Sequence, residues 1–344
     1  NYMGVNFVST GDLDRGLSFY QKELALLKEM YGGGHPDVAG VYNNMGGVSY
    51  RSGDIGQAVN YFQKAAQSFE KAFGTNHPSV AMTYNNLGAS YFQMNKLEQA
   101  IRYLEKSAKI KEAVQGPDHP DLAPSYNNIG GLYLELERYE EAKQNLQEAL
   151  RIRKKALGPN HPKLTNTYST LGNLFLEQQE PDSAISYFER EVAITQKQRG
   201  PDHPYVADAL NNIAKSYAEQ AFYERALSYH QQALQVLGDD FEADRRAENP
   251  KVNGLRYPNY AVRILGDKSR TLQKTYEQHG DLSKLEAALA TVQRLSELID
   301  FLQVSFRSEQ SKLMISEQSH EMYELGIEVA HKLHQETGQA TYLE

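Results

Sequence analysis

The sequence contains no cysteine and no tryptophan among its 344 residues. The lack of cysteine excludes disulfides, thiolate metal ligands and a cysteine nucleophile within these residues, and it fits a reducing compartment. No apolar run approaches the roughly 18 residues that a membrane-spanning helix requires, so no membrane segment is predicted. Acidic residues outnumber basic ones by 44 to 36, and the net charge of −8 argues against nucleic acid as a partner.

Sequence motifs of catalysis and of metal binding are also missing. No Gly-x-Ser-x-Gly motif occurs, and the glycines at 32–34 lack the Lys-Ser/Thr pair that completes a phosphate-binding loop. His331 and His334 share a predicted helix face with Glu328 and Glu336, but the His-Glu-x-x-His signature is absent. We therefore predict a chain that is not an enzyme and that needs no cofactor or metal ion.

The dipeptide His-Pro occurs five times, and each occurrence follows the last by 42 residues. The histidines are His35, His77, His119, His161 and His203. A fixed period of this length predicts a repeat array whose units are stable only when stacked. Equivalent residues on stacked helices lie about 8 to 10 Å apart, whereas two ligands of one zinc ion lie within about 4 Å. We therefore interpret His-Pro as a helix boundary, since proline in a first helical turn loses no hydrogen bond.

A second pattern follows each His-Pro. The pattern Tyr-Asn-Asn-(Met/Leu/Ile)-Gly occupies residues 42–46, 84–88 and 126–130, with variants at 168–172 and 210–214. Alanine then recurs on a second helix, at Ala58, Ala100, Ala142, Ala184 and Ala226. Small residues at fixed places on two helices predict a hairpin in which the helices approach closely.

This combination, with Phe62 or Phe188 after the alanine, resembles the tetratricopeptide repeat, and the 42-residue unit with His-Pro resembles its kinesin light chain subclass. The resemblance implies an all-α fold, a right-handed α-solenoid of stacked helix hairpins whose concave groove binds protein segments. It covers residues 1–238 as six repeats. The first repeat is expected to be truncated, because residues 1–4 align with residues 43–46.

The period fails after residue 238. Residues 239–257 are predicted to be an irregular insert or linker, and residues 258–344 an atypical extension of long helices that is cut at its C-terminal end. The extension resembles the helical region that precedes the caspase-like CHAT domain in bacterial tetratricopeptide proteins. That resemblance implies a second possibility, the regulatory region of a CHAT-type cysteine peptidase whose catalytic residues follow residue 344. A third possibility is a structural or self-associating spacer.

Candidate binding residues come from the arc of the first helix of each hairpin that lies opposite its packed face. The resemblance assigns this arc to the groove. The first amide column is Asn43, Asn85, Asn127, Ser169 and Asn211, and the second amide column is Asn44, Asn86, Asn128, Thr170 and Asn212. Asparagine is a poor helix former, so its recurrence needs a reason. Either the amides bind the backbone of an extended peptide, or they tie neighbouring helices together.

Two further columns describe the shape and charge of the predicted groove. The apolar column is Tyr50, Phe92, Leu134, Leu176 and Ala218, beside the small residues Gly47, Ala89 and Gly131. The charged column is Arg51, Gln93, Glu135, Glu177 and Glu219, joined by Asp208. Arg51 and Lys215 are the only cations expected there, so an acidic cargo is not favoured. The glutamates could also be plain solvated surface.

We therefore predict a module for protein–protein interaction, a sensor or scaffold within a larger bacterial protein. The partner would be a protein or peptide with an apolar anchor and basic residues. It could also be the chain's own insert at 239–257, folded against the groove as a plug, or a following domain. Neither nucleic acid nor membrane is expected as a partner. We expect a cytoplasmic location, with export left open because the sequence begins inside a repeat.

Overall fold

The computed structural model describes residues 12–238, 249–305 and 309–342, and their regular secondary structure is helical apart from one isolated bridge between Gly238 and Leu255. The chain forms two compact units, residues 1–159 and 160–344. The all-α solenoid fold predicted from the repeats is confirmed. The truncated first helix and residues 239–248 lie outside the described residues.

The first unit is built from antiparallel helix pairs. Its described helices are α1 (Leu13–Tyr31), α2 (Pro36–Arg51), α3 (Ile55–Phe73), α4 (Pro78–Gln93), α5 (Leu97–Gln115), α6 (Leu122–Glu135) and α7 (Tyr139–Leu157). The pairs α2–α3, α4–α5 and α6–α7 are the predicted 42-residue hairpins, and each packs against the next. The even-numbered helices carry the four columns.

The His-Pro dipeptide starts a helix in two ways. Proline occupies the first turn of α2 and of α4, where no hydrogen bond is lost. The imidazole Nδ1 of the histidine also accepts a hydrogen bond from the backbone N–H two residues later, at 3.2 Å from Asp37 to His35 and 3.2 Å from Ser79 to His77. The histidine is therefore a helix cap as well as a boundary.

The repeat glycines of α4 and α6 are required by the closeness of the two helices. A Cβ atom on Gly130 would lie 2.7 Å from Cγ of Leu146 and 3.2 Å from the carbonyl oxygen of Ala142. On Gly88 it would meet the equivalent atoms of Leu104 and Ala100, at 2.6 and 3.2 Å. The backbone oxygen cannot rotate away, so no larger residue fits without shifting a helix.

We predict that Gly130→Ala destabilises the protein by about 1–3 kcal/mol, because the added methyl group overpacks the contact between α6 and α7. Its neighbour Gly131 provides a matched control, since a Cβ there meets nothing within 4 Å. Gly131→Ala should leave stability unchanged or raise it by up to about 1 kcal/mol through helix propensity. Urea unfolding of both variants measures the difference, and equal midpoints would refute this account of the glycine.

The second unit continues the hairpin pattern and then changes it. Its helices are α8 (Leu164–Glu177), α9 (Pro181–Arg199), α10 (Pro204–Glu219), α11 (Tyr223–Leu237), α12 (Pro258–His279), α13 (Leu282–Ser305) and α14 (Glu309–Thr337). The last three have 22, 24 and 29 residues, against 14 to 19 for the helices of the preceding hairpins in this unit. Helices α12 and α13 form a further hairpin on α11, and α14 packs on α13.

This further hairpin keeps the close helix contact but has a polar core where it meets the sixth repeat. Ser269 takes the place of the repeat glycine, and its hydroxyl donates to the carbonyl oxygen of Ala288 at 3.2 Å. His230 stands where earlier repeats have Phe, Leu or Tyr; it is fully buried, and burial lowers its pKa to about 4. Its ring nitrogens lie 2.8 Å from the amide oxygen of Asn211 and 3.1 Å from the hydroxyl of Thr271.

The described end of the insert, residues 249–257, lies at the connection between α11 and α12. The backbone N–H of Arg256 donates to the carbonyl oxygen of Leu237 at 2.8 Å, and its guanidinium lies 3.6 Å from Asp202. The amide of Asn249 donates to Thr291 on α13 at 3.1 Å. These contacts attach the end of the insert beside the further hairpin. The plug formed by residues 239–257 remains a prediction, and residues 239–248 lie outside the described part.

Candidate functional site

A cavity of about 470 Å³ lies in the first unit where the four columns begin. Its lining includes one side chain from each of α1 and α3, and the remainder comes from α2 and α4. The lining residues are Tyr20, Asn43, Asn44, Gly47, Val48, Tyr50, Arg51, Phe62, Asn86 and Ala89. The sequence placed five of these residues on one arc of α2, and the structure brings that arc to an open cavity.

The cavity combines apolar walls with polar groups at its edge. Tyr20, Val48 and Phe62 are buried and form the apolar part of the wall. Gly47 leaves room, because a Cβ atom there would meet no other atom within 4 Å. Arg51 is exposed and provides a positive charge at the rim. A pocket with these properties suits a side chain of moderate size, with a backbone or carboxylate nearby.

Some of the column amides tie neighbouring helices together. The Nδ2 group of Asn86 on α4 donates to Oδ1 of Asn43 on α2 at 3.1 Å. In the second unit, Nδ2 of Asn211 on α10 donates to Oδ2 of Asp267 on α12 at 2.8 Å. In each pair a first-column amide meets the second-column position of the next hairpin. The structural role left open by the sequence is therefore observed, and it uses one residue from each column.

We predict that Asn86→Ala lowers the free energy of unfolding by about 1 kcal/mol, because the bond to Asn43 is lost. Asn128→Ala is the matched control, since Asn128 occupies the same column position in the next hairpin and is exposed. Both changes gain the same helix propensity, so the difference between the variants isolates the hydrogen bond. Urea midpoints that shift equally for both variants would show that the amide pair adds no stability.

Three of the predicted contact residues are not accessible. Asn127 and Asn212 are each 7% exposed and Asn211 is fully buried. Asn85 is half-buried and lines a separate cavity of about 220 Å³ with Met82 and Val114. We leave these four amides out of the proposed site, because they do not line the cavity at the start of the columns.

The apolar and charged columns are accessible where the sequence places them. Phe92 is 43% exposed, and the other apolar-column members are half-buried; these are Tyr50, Leu134, Leu176 and Ala218. Glu135 in the first unit and Glu177 and Glu219 in the second are exposed. Asp208, by contrast, is neutralised by Arg263 of α12, whose guanidinium donates to it at 2.6 Å. The expectation that only Arg51 and Lys215 supply cations was wrong, because Arg263 also reaches a column position.

Sequence reasoning missed a buried carboxyl group beside this ion pair. Glu191 on α9 is 8% exposed, and burial raises its pKa to about 8. The equivalent positions at 42-residue steps hold Glu23, Ala65, Ser107, Ala149 and Ala233. A comparison of this column would have shown that a glutamate stands here where both neighbouring repeats have alanine.

Among the described residues, the structure shows neither a cluster of metal ligands nor a membrane-spanning helix. No cluster of three or more possible metal ligands occurs among those residues, His331 and His334 included. None of the described helices is long and apolar enough to cross a bilayer.

Comparison with known sequences identifies the repeats. The profile of the tetratricopeptide repeat matches residues 1–71, 37–113, 80–155, 121–197 and 166–238. These overlapping matches cover the first 238 residues, which is more than half of the chain. No curated protein sequence matches the chain significantly.

Solved structures show the same fold at low sequence identity. BtubC (BKLC) from P. vanneervenii is 19% identical over 65% of this chain and 90% of its own, with a TM-score of 0.54. A Podosopora anserina protein with nearly identical TPR-like repeats, designated a kinesin light chain, is 20% identical over 59% and 96%, with a TM-score of 0.52. The C-terminal part of a TPR repeat-containing protein from Cytophaga hutchinsonii is 12% identical over 90% and 97%, with a TM-score of 0.57. The likeness to kinesin light chain repeats is thus confirmed for the fold, whereas the CHAT resemblance stays a prediction.

Proposed function

Because the chain belongs to the tetratricopeptide repeat family, we propose that its first unit binds an extended segment of a partner protein in the 470 Å³ cavity between α2 and α4. The family supports a role as a scaffold for protein–protein interaction. The proposal of a specific peptide site rests on this cavity, because it combines an apolar wall with amide groups and with open space beside Gly47.

The lining indicates the chemistry of the ligand. An aromatic or aliphatic side chain would fill the space between Tyr50, Phe62 and Gly47, because burial of apolar area there removes water from both surfaces. The amide of Asn44 offers a donor and an acceptor to the unpaired backbone of an extended peptide. The partner segment therefore needs an apolar anchor and free backbone groups around it.

Charge adds a preference for basic residues beyond the anchor. Glu135 is exposed to solvent on α6. It occupies the same column position as Arg51, two hairpins further along the chain. A lysine or arginine of the ligand would form an ion pair with this carboxylate. An exposed ion pair adds only a small free energy of binding. In the second unit, Leu176, Glu177 and Glu219 supply the same combination of residue types.

We predict that Gly47→Leu abolishes binding of a peptide selected on the native protein from a random phage-displayed library. The new side chain enters open space, so it fills the cavity without disturbing the helix contact. The control is Gly131→Leu, which occupies the same column position two hairpins later and is equally open. Fluorescence anisotropy with the labelled peptide measures affinity. Native affinity in the Gly47→Leu variant would refute the anchor pocket.

We predict that Glu135→Lys weakens binding of the selected peptide by up to about fivefold if the peptide carries a basic residue, as an exposed pair is worth only about 0.2–1 kcal/mol. The effect should diminish at 0.5 M salt because the charges are screened. Glu137→Lys, an exposed change in the turn after α6, serves as the control for net charge. Equal effects of both variants would show a non-specific charge effect.

Two other roles remain predictions. A regulatory role beside a CHAT-type peptidase rests on the resemblance of residues 258–344, and an inhibition assay with an added peptidase domain from the same coding region would test it. A self-associating spacer would show concentration-dependent mass in light scattering. A cytoplasmic setting also remains a prediction.

A further inference from the structure

The buried carboxyl group of Glu191 lies beneath the groove helices of the second unit. The side chain is 8% exposed and occupies a position where four other repeats have alanine or serine and α1 has the half-buried Glu23. Its Oε2 atom has no hydrogen-bond partner, and a hydrogen bond links the carboxyl group to the hydroxyl of Ser169 on α8. An unpartnered carboxyl oxygen in such a place costs stability, so it needs a reason beyond packing.

The neighbours of Glu191 are groove positions. Ser169 belongs to the first amide column, and Asp208 on α10 lies in the adjoining groove position of the next hairpin. Arg263 reaches the same place from α12, and its guanidinium donates to Asp208 at 2.6 Å. The side chain of Arg263 is 47% exposed, so it can leave Asp208 for solvent. The charges of Asp208 and Arg263 both act on the carboxyl group of Glu191, so the two carboxyl groups and the guanidinium lie near one another.

We propose that Asp208 and Glu191 form a binding subsite for a basic side chain of a partner, and that Arg263 occupies this subsite until the partner's arginine or lysine displaces it. The subsite lies in the second unit and goes beyond the cavity between α2 and α4. It rests on the proposed function only in that its ligand would belong to a partner segment. Space for the incoming group comes from the departure of Arg263, so no preformed empty cavity is required.

Proton release accompanies binding. Burial raises the pKa of Glu191 to about 8 and also raises that of Asp208, whose charge faces Arg263 of α12. Glu191 is therefore largely neutral at pH 7, and the site without ligand carries one compensated ion pair. An incoming cation favours the ionised form of both carboxyl groups, so the Glu191 proton passes to solvent. Affinity should rise about tenfold for each pH unit up to about pH 8 and then level off.

The test uses the 344-residue chain and n-butylguanidinium as the probe, since its charge does not change between pH 6 and 9. Calorimetry in buffers of different ionisation enthalpy should show release of close to one proton per bound probe at pH 6.5. Affinity at pH 6, 7, 8 and 9 should show the slope and the plateau. Binding without proton release, or an affinity independent of pH, would overturn the proposal, as would no detectable binding at pH 9.

Three variants separate the roles. Glu191→Ala restores the residue of neighbouring repeats, so it should fold, and it should lose both the slope and the proton release. Arg263→Ala removes the competing guanidinium and should raise probe affinity about tenfold, and unchanged or lower affinity would contradict the displacement. Glu189→Ala, an exposed change on the same helix, should match the native protein.

The probe also separates this proposal from the proposed function. It has no peptide backbone and no anchor side chain, so the Gly47→Leu variant should bind it as the native chain does. Loss of probe binding in that variant would contradict a separate subsite. Peptide binding that persists while the probe fails would sink the subsite and leave the first cavity standing.

Discussion

The close contact between the two helices of each hairpin is the interaction on which the rest of the structure depends. Gly88 and Gly130 leave only enough room for a backbone oxygen and a leucine of the facing helix. This contact fixes which arc of the first helix is buried, because the glycine and the Met, Leu or Ile before it must face the second helix. The opposite arc is then exposed as a direct consequence, and its residues form columns when hairpins stack.

Stacking gives these columns two uses that compete. An amide that bonds to the next helix stabilises the stack but has fewer groups left for a ligand, as Asn43 and Asn86 show at 3.1 Å. Space for a ligand then depends on the smallest residues of the arc, Gly47 and Ala89, rather than on the amides alone. The cavity at the start of the columns is where small residues, a half-buried aromatic side chain and amides coincide.

The repeat period made much of this predictable from sequence. It placed the start of α2 at His35-Pro36, because this boundary depends on local chemistry that proline determines. The turn inside each hairpin was clear only at Gly53. The equivalent residues Asn95 and Glu137 adopt φ of 55° and 57° without glycine, since the packed helices hold the chain there.

Burial within a column could not be predicted, because it depends on the neighbouring hairpin and not on the residue itself. Asn211 occupies the same repeat position as Asn43, yet it is fully buried. Its neighbour on the next helix is Asp267, and His230 replaces an apolar residue beside it. Arg263 was missed for a related reason. The insert interrupts the 42-residue period, so the sequence does not show that Arg263 lies beside Asp208, and only the three-dimensional structure reveals this contact.

Departures from a repeat column carry more information than agreement with it. Ala149 and Ala233 occupy the position of Glu191 in the two neighbouring hairpins, so a small residue is sufficient for the packing there and the stack alone does not explain the carboxyl group. The polar pair at His230 and Asn211 differs, because each group there has a partner and the hydrogen bonds join one hairpin to the next. Glu191 leaves one oxygen unpartnered beside an ion pair that an exposed arginine can open. A binding role accounts for that arrangement, whereas a purely structural role would have favoured the alanine found at the same position in its neighbours.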